Sequence, residues 1–213
     1  MLRTLQRLFK FVILQMQKTF LFFLLTFYFC FSACNTGNKP GPTQPTASTD
    51  TVNIFPVTSF LKAQLKELDT LPVTPLLIVI SKGKTDSSWL KREDIRKQAT
   101  PFLSPEIDSA SLHSFFTEKS FLDQTINSYT FSYDAKPSLP DSIQLIHWDV
   151  YMNPQTHLIE RIYLVKEKDL AGNNITTQLT WVVNKYFNIR DITQSAGKET
   201  QVSEKKMIWN FEE

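Results

Sequence analysis

The chain has 213 residues, with 23 Lys and Arg set against 21 Asp and Glu, 42% hydrophobic residues and two cysteines. A formal charge of +2 makes no basic field to draw nucleic acid, and no run of like charges forms an interaction tail. The length suits one ordinary domain with a sizeable core.

The first informative stretch starts at Lys18. Residues 19–33 are almost without polarity, and Ser32 and Ala33 are small residues just before Cys34. A charged start, a short apolar run and a small-residue cleavage site are the layout of an export signal. Phe31-Ser32-Ala33-Cys34 resembles the lipobox of bacterial lipoproteins, with Phe31 where the usual pattern has Leu. The resemblance implies cleavage before Cys34 and diacylation of its sulfur, so that Cys34 becomes the first residue of a lipid-anchored (palmitate-type) envelope protein. Two alternatives remain at this point: an uncleaved anchor, for which the apolar run is short against the ~18 residues a spanning helix needs, and a plainly secreted protein. Met16-Gln17-Lys18 reads as a normal signal start, so the true start is placed at Met1 or at Met16. Cleavage leaves 180 residues. Four of the 23 basic residues (Arg3, Arg7, Lys10 and Lys18) go with the signal, so 19 basic face 21 acidic, a net −2. Cys30 is also discarded, which leaves no disulfide, thiol nucleophile or cysteine metal site in the domain.

The expected organisation is a signal peptide over 1–33, a lipidated Cys34 with a disordered tether over 34–52, and a single domain over 53–213. The tether is rich in Pro, Gly and hydroxyl residues. At Leu61, Leu65 and Leu68 the i, i+4, i+7 spacing predicts an amphipathic helix started by Thr58 or Ser59 and stopped before Pro72 and Pro75. Residues 76–80 predict a buried strand. A second helix is expected from Trp89 to Ala99. A third is expected from Ser104, with Pro105 at its first position, Glu106 and Asp108 in its first turn, and Ile107, Leu112, Phe115 and Phe116 inward.

After Leu122 the period changes to two. Tyr129, Phe131 and Tyr133 alternate with polar residues, and Trp148, Val150 and Met152 alternate with His147, Asp149 and Tyr151. Asn153-Pro154-Gln155-Thr156 is a turn, residues 158–166 a returning strand, and residues 175–189 one long strand bent near Asn184. Met207, Trp209 and Phe211 close the chain as a last strand. This pattern predicts an α+β fold: an antiparallel sheet of about five strands with N-terminal helices packed on one face. The order is loosely similar to cystatin-like and nuclear-transport-factor-like folds and to the half-barrels of lipoprotein carriers, a likeness of fold alone.

Candidate chemistry is sparse. His147 and Asp149 share a strand face at i, i+2, which would orient an imidazole for acid–base work or begin a metal site. The competing expectation is a solvated face with a cross-strand Asp149–Arg161 pair, worth ~0.2–1 kcal/mol, and this is the one preferred. No phosphate-cradling glycine loop, nucleophile elbow or zinc motif is present. No cofactor, metal or catalytic residue is therefore expected. Aromatic residues are the one excess, read first as sheet core and second as the lining of an apolar cavity. The leading functional expectation is a non-enzymatic binding or assembly module held at the membrane through Cys34, facing the periplasm, with an envelope protein as partner. The second is a carrier or sensor of a lipid or other apolar ligand, and the weakest is a hydrolase or isomerase using His147 and Asp149.

Overall fold

The computed structural model describes residues 55–211. The predicted signal peptide, the lipidation site at Cys34 and the tether lie outside the described residues.

The first element, α1 (Val57–Leu68), carries the expected stripe: Val57, Leu61, Leu65 and Leu68 are all buried. Its cap is not local. Asp108 accepts hydrogen bonds from the Thr58 N–H at 2.7 Å and the Ser59 N–H at 2.8 Å, supplying from a distant segment the acceptors a helix start lacks. Thr58 Oγ1 in return accepts the Ile107 N–H at 2.8 Å. These bonds correct the expectation of a third helix at Ser104. Ile107 and Asp108 spend their polar groups on α1, and the segment turns helical only in the four residues of α3 (Ala110–His113).

Between α1 and α3 lie a hairpin, β1 (Leu76–Ser81) and β2 (Lys84–Trp89), then α2 (Arg92–Gln98) and a 3-10 turn (Thr100–Leu103). Trp89 therefore ends a strand and does not open a helix. The signal for that strand is the two-residue turn Lys82-Gly83, with φ of +50° and +71°, the geometry that suits strand twist. β1 is a strand, as its apolar run predicts, but it is only half-buried.

The remaining strands form a meander: β3 (Phe116–Asp123), β4 (Ser128–Ala135), β5 (Leu145–Met152), β6 (Ile159–Leu170), β7 (Asn173–Val182), β8 (Tyr186–Ser195) and β9 (Gln201–Ile208). All nine strands belong to one antiparallel sheet in the order β2-β1-β9-β8-β7-β6-β5-β4-β3. The α+β expectation of about five strands is thus overturned. The domain is mostly β, and its helices are short and interrupted by the β1–β2 hairpin. Four strands account for the difference among the described residues: β1 joins the same sheet as the meander, and three more are unexpected. β2 and β3 lack the alternation that marks a strand, and residues 175–189 hold two strands, because Asn184 (φ +60°) reverses the chain where only a bend is expected.

The sheet buries one face. Trp148, Leu164, Leu179, Trp181, Phe187 and Met207 project from it and are 0–1% exposed. Phe102 of the 3-10 turn packs edge-on against Trp181 and Phe187, with centroids at 5.4 and 5.3 Å. Tyr133 stacks on Trp148 at 4.5 Å, with Phe116 at 4.4 Å on that same ring. Most of the aromatic excess is thus packed core, filled by the mutual ring contacts that favour such pairs.

Candidate functional site

Beyond Tyr133 the inward face grades from buried Val150 to half-buried Phe131 and Met152. Phe131 and Tyr133 of β4, Val150 and Met152 of β5, and Ile159 of β6 line a cavity of about 390 Å³, flanked by Phe55 and His157. The period of two on β4 and β5 puts these side chains on one face. Pairing of Phe131 with Val150 and of Met152 with Ile159 brings them together. The apolar surface continues outward through Tyr129, opposite Met152, and Leu122, opposite Tyr129; these two are 39% and 44% exposed. Leu158, at the end of the neighbouring turn, is 67% exposed.

Polarity in this groove is confined to three tips. Burial pushes the Tyr133 phenol up to about 12, and the Glu118 carboxylate, which repels the phenolate and accepts the phenol's hydrogen bond, adds to the effect, so the phenol stays neutral with its proton given to Glu118. His157 comes from the β5–β6 turn, where its φ of +57° swings the chain round. Among the described residues the lining contains no Ser, Thr or Cys. A cavity of this size, apolar with a few polar tips, has the character of a small-ligand pocket.

His147 and Asp149 lie on the opposite face of the sheet, away from the groove. The expected Asp149–Arg161 pairing does not occur. A register shift between Tyr151 and Met152 moves the partner strand along, so Asp149 faces Tyr163 and Arg161 faces Tyr151. Arg161 instead stacks on the Tyr151 ring, 3.9 Å from its centroid. Asp149 turns to its own strand and accepts from His147 Nε2 at 3.1 Å and from the Tyr151 hydroxyl at 3.0 Å. A second carboxylate, Asp134 of β4, holds His147 Nδ1 at 2.8 Å and also takes Lys119 Nζ at 2.9 Å.

The electrostatics follow from this clamp. The Asp149 hydrogen bond raises the His147 pKa against the opposing effect of burial, and Asp134 adds to the rise. Burial pushes Asp149 up, but bonds from His147, Ser132 and Tyr151 outweigh it and hold the carboxyl below its usual range. Lys119, then His147, lower Asp134. In its protonated form, which both carboxylates favour, the imidazole donates both N–H groups and has no lone pair for a metal or for proton abstraction. Among the described residues no group of three or more His, Cys, Asp or Glu side chains is arranged to hold a metal ion. His113, the third histidine, is a core residue set edge-on to Tyr133 and Trp148 and kept neutral by burial.

Strand alternation makes the sharing of a face by His147 and Asp149 readable. Sequence reasoning misses Asp134, although the same alternation on β4 puts it opposite Tyr133 and so on the His147 side. It misses the groove as a site because Phe55, Glu118 and His157 reach it from three separate segments. The chain matches no family model, and no curated protein and no solved structure matches it.

Proposed function

We propose that this chain is a non-enzymatic envelope binding protein, tethered by lipid at Cys34 on the periplasmic side, whose groove between β4, β5 and β6 takes an apolar chain. The observation that carries the reading is the half-buried apolar lining of Phe131, Met152 and Ile159 around buried Val150, continued by exposed Tyr129 and Leu122. Transferring such surface from water to a hydrocarbon ligand returns about 25 cal/mol per Å². A continuous apolar strip that leads out of a pocket suits a ligand with a long tail. The Glu118 carboxylate, which already takes the Tyr133 hydroxyl, and the His157 ring offer the polar partners that would orient its head.

The lipid anchor and the groove fit one purpose. Phe55 and Pro56 line the groove, and Phe55 is 21 positions after Cys34, so a lipid at Cys34 would keep the groove within ~60 Å of the bilayer by chain length alone. A site held that close to a bilayer meets amphiphiles first. The experiment is titration of the mature chain with a fluorescent fatty acid, compared with Met152→Trp, which fills the groove. The reading predicts saturable binding that weakens at least about tenfold in the variant. Equal binding by both proteins, or none by either, would remove the groove from the account.

A further inference from the structure

The other end of the buried face has a different character. Along four neighbouring strands the inward positions are apolar at one level: Ile162, Trp181, Phe187 and Met207 pair in sequence across β6 to β9. Two levels on, in the same register, they are Lys166, Thr177, Asp191 and Ser203. Of these, Lys166, Thr177 and Asp191, with Lys97 and Ser104 of the adjoining helical segment and Lys205 of β9, border a cavity of about 530 Å³.

Charge in this cavity is unbalanced. Lys97, Lys166, Lys168 and Lys205 line it with only Glu167 and Asp191 as acids. None of the four lysines has a carboxylate within ion-pair distance among the described residues. Asp191 spends an oxygen on the Thr177 hydroxyl at 2.6 Å. Lys166 is the informative member. Its ammonium donates only to two neutral acceptors, the Pro101 and Ser104 carbonyls, and burial lowers its pKa to about 8. A partly desolvated cation held by carbonyls alone, on the inward face of a sheet, lacks the counter-charge that usually accompanies burial. Three further lysines facing the same space compound that deficit.

We propose that this cavity is a binding site for a phosphoryl group, free or on a phosphorylated headgroup, with Lys97, Lys166 and Lys205 as its cations and the Gln144 amide as a neutral donor, while the Thr177 hydroxyl occupies one oxygen of Asp191. The cavity exceeds the need of one phosphate, which leaves room for the group that carries it. The site is separate from the apolar groove, so the two stand or fall independently.

The test is calorimetric titration of the mature full chain with inorganic pyrophosphate and, separately, with dihexanoyl phosphatidic acid below its micelle concentration. Lys97→Glu/Lys205→Glu is compared with a control reversal of two exposed lysines outside the cavity, Lys66→Glu/Lys84→Glu. The expected result is one-to-one binding that weakens at least about tenfold in the cavity variant and less than about twofold in the control. Slower acetylation of Lys166 when the anion is present is expected as well, and it needs no substitution that could loosen the fold. Tighter binding of the phosphatidic acid would identify a lipid headgroup as the source, and equal or tighter pyrophosphate binding a free phosphate compound. Absence of binding for both anions, equal weakening in both double variants, or unchanged Lys166 acetylation would overturn the proposal.

Discussion

At the scale of single residues, the two histidines inside the fold oppose one another. His147 is held protonated by Asp149 and Asp134, so its folded pKa lies above the ordinary 6.5. Its stabilising contribution is complete below that value and disappears as pH rises through the raised pKa. His113 is kept neutral by burial, with its pKa below 6.5, so it costs stability as pH falls from 6.5 toward that lowered value. Chemical denaturation between about pH 6.5 and 7.5, below the range in which loss of the Lys166 proton adds stability, should show the wild type losing stability toward the alkaline side, and His147→Gln should flatten that slope; an unchanged slope would mean the clamp contributes nothing in solution. Asp108 offers a second check. Removing the carboxylate that caps α1 leaves the Thr58 and Ser59 N–H groups without their acceptor. Asp108→Ala should therefore cost about 1–2 kcal/mol in a urea titration, although Asp108 is remote from α1 in sequence. No measurable cost would show that water replaces the cap.

At the scale of elements, what can be read from the sequence depends on whether packing or a turn decides the structure. Leu61, Leu65 and Leu68 announce α1 because one stripe of that helix faces the core. Trp148 and Val150 announce β5 because its faces differ in polarity. β2 gives no such sign, since Lys84–Trp89 is exposed along its whole length; only the turn before it marks it. Phe115 and Phe116 mimic a helical stripe, but Phe116 opens β3 and fills the space beside Trp148. Long-range bonds from Asp108 and Ile107 to α1 displace the third helix, and no local pattern carries that information. The turn at Lys82-Gly83 makes the prediction for this scale. Gly83→Val places a β-branched side chain at φ +71° and should destabilise by roughly 1–2 kcal/mol, read as a lower thermal midpoint. A Cβ at this position would meet nothing within 4 Å, so the cost comes from the backbone and not from a clash. An unchanged midpoint would show that the turn tolerates the side chain by relaxing.

At the scale of the molecule, one sheet serves three regions. Its centre is a packed aromatic core under α1, α2 and the 3-10 turn. One end of the same face is the apolar groove, and the other is the basic cavity. The alternation of Tyr129, Phe131 and Tyr133 is legible as a strand face, but not as two environments. Tyr133 is roofed by His113 and Trp148, while Tyr129 is 39% exposed. That difference depends on where the helices stop, and no single strand records it. The proposed lipid anchor belongs to this scale too: with Cys34→Ser the protein is expected to move from the membrane pellet to the soluble fraction after cell lysis, and an unchanged pellet would favour an uncleaved anchor.

The most direct test of a groove that holds an apolar chain is native mass spectrometry of the mature protein released gently from its own envelope. The account predicts a stoichiometric apolar adduct that organic extraction removes and that Met152→Trp lacks. A bare mass for the wild type, together with no uptake of an added fatty acid, would contradict it.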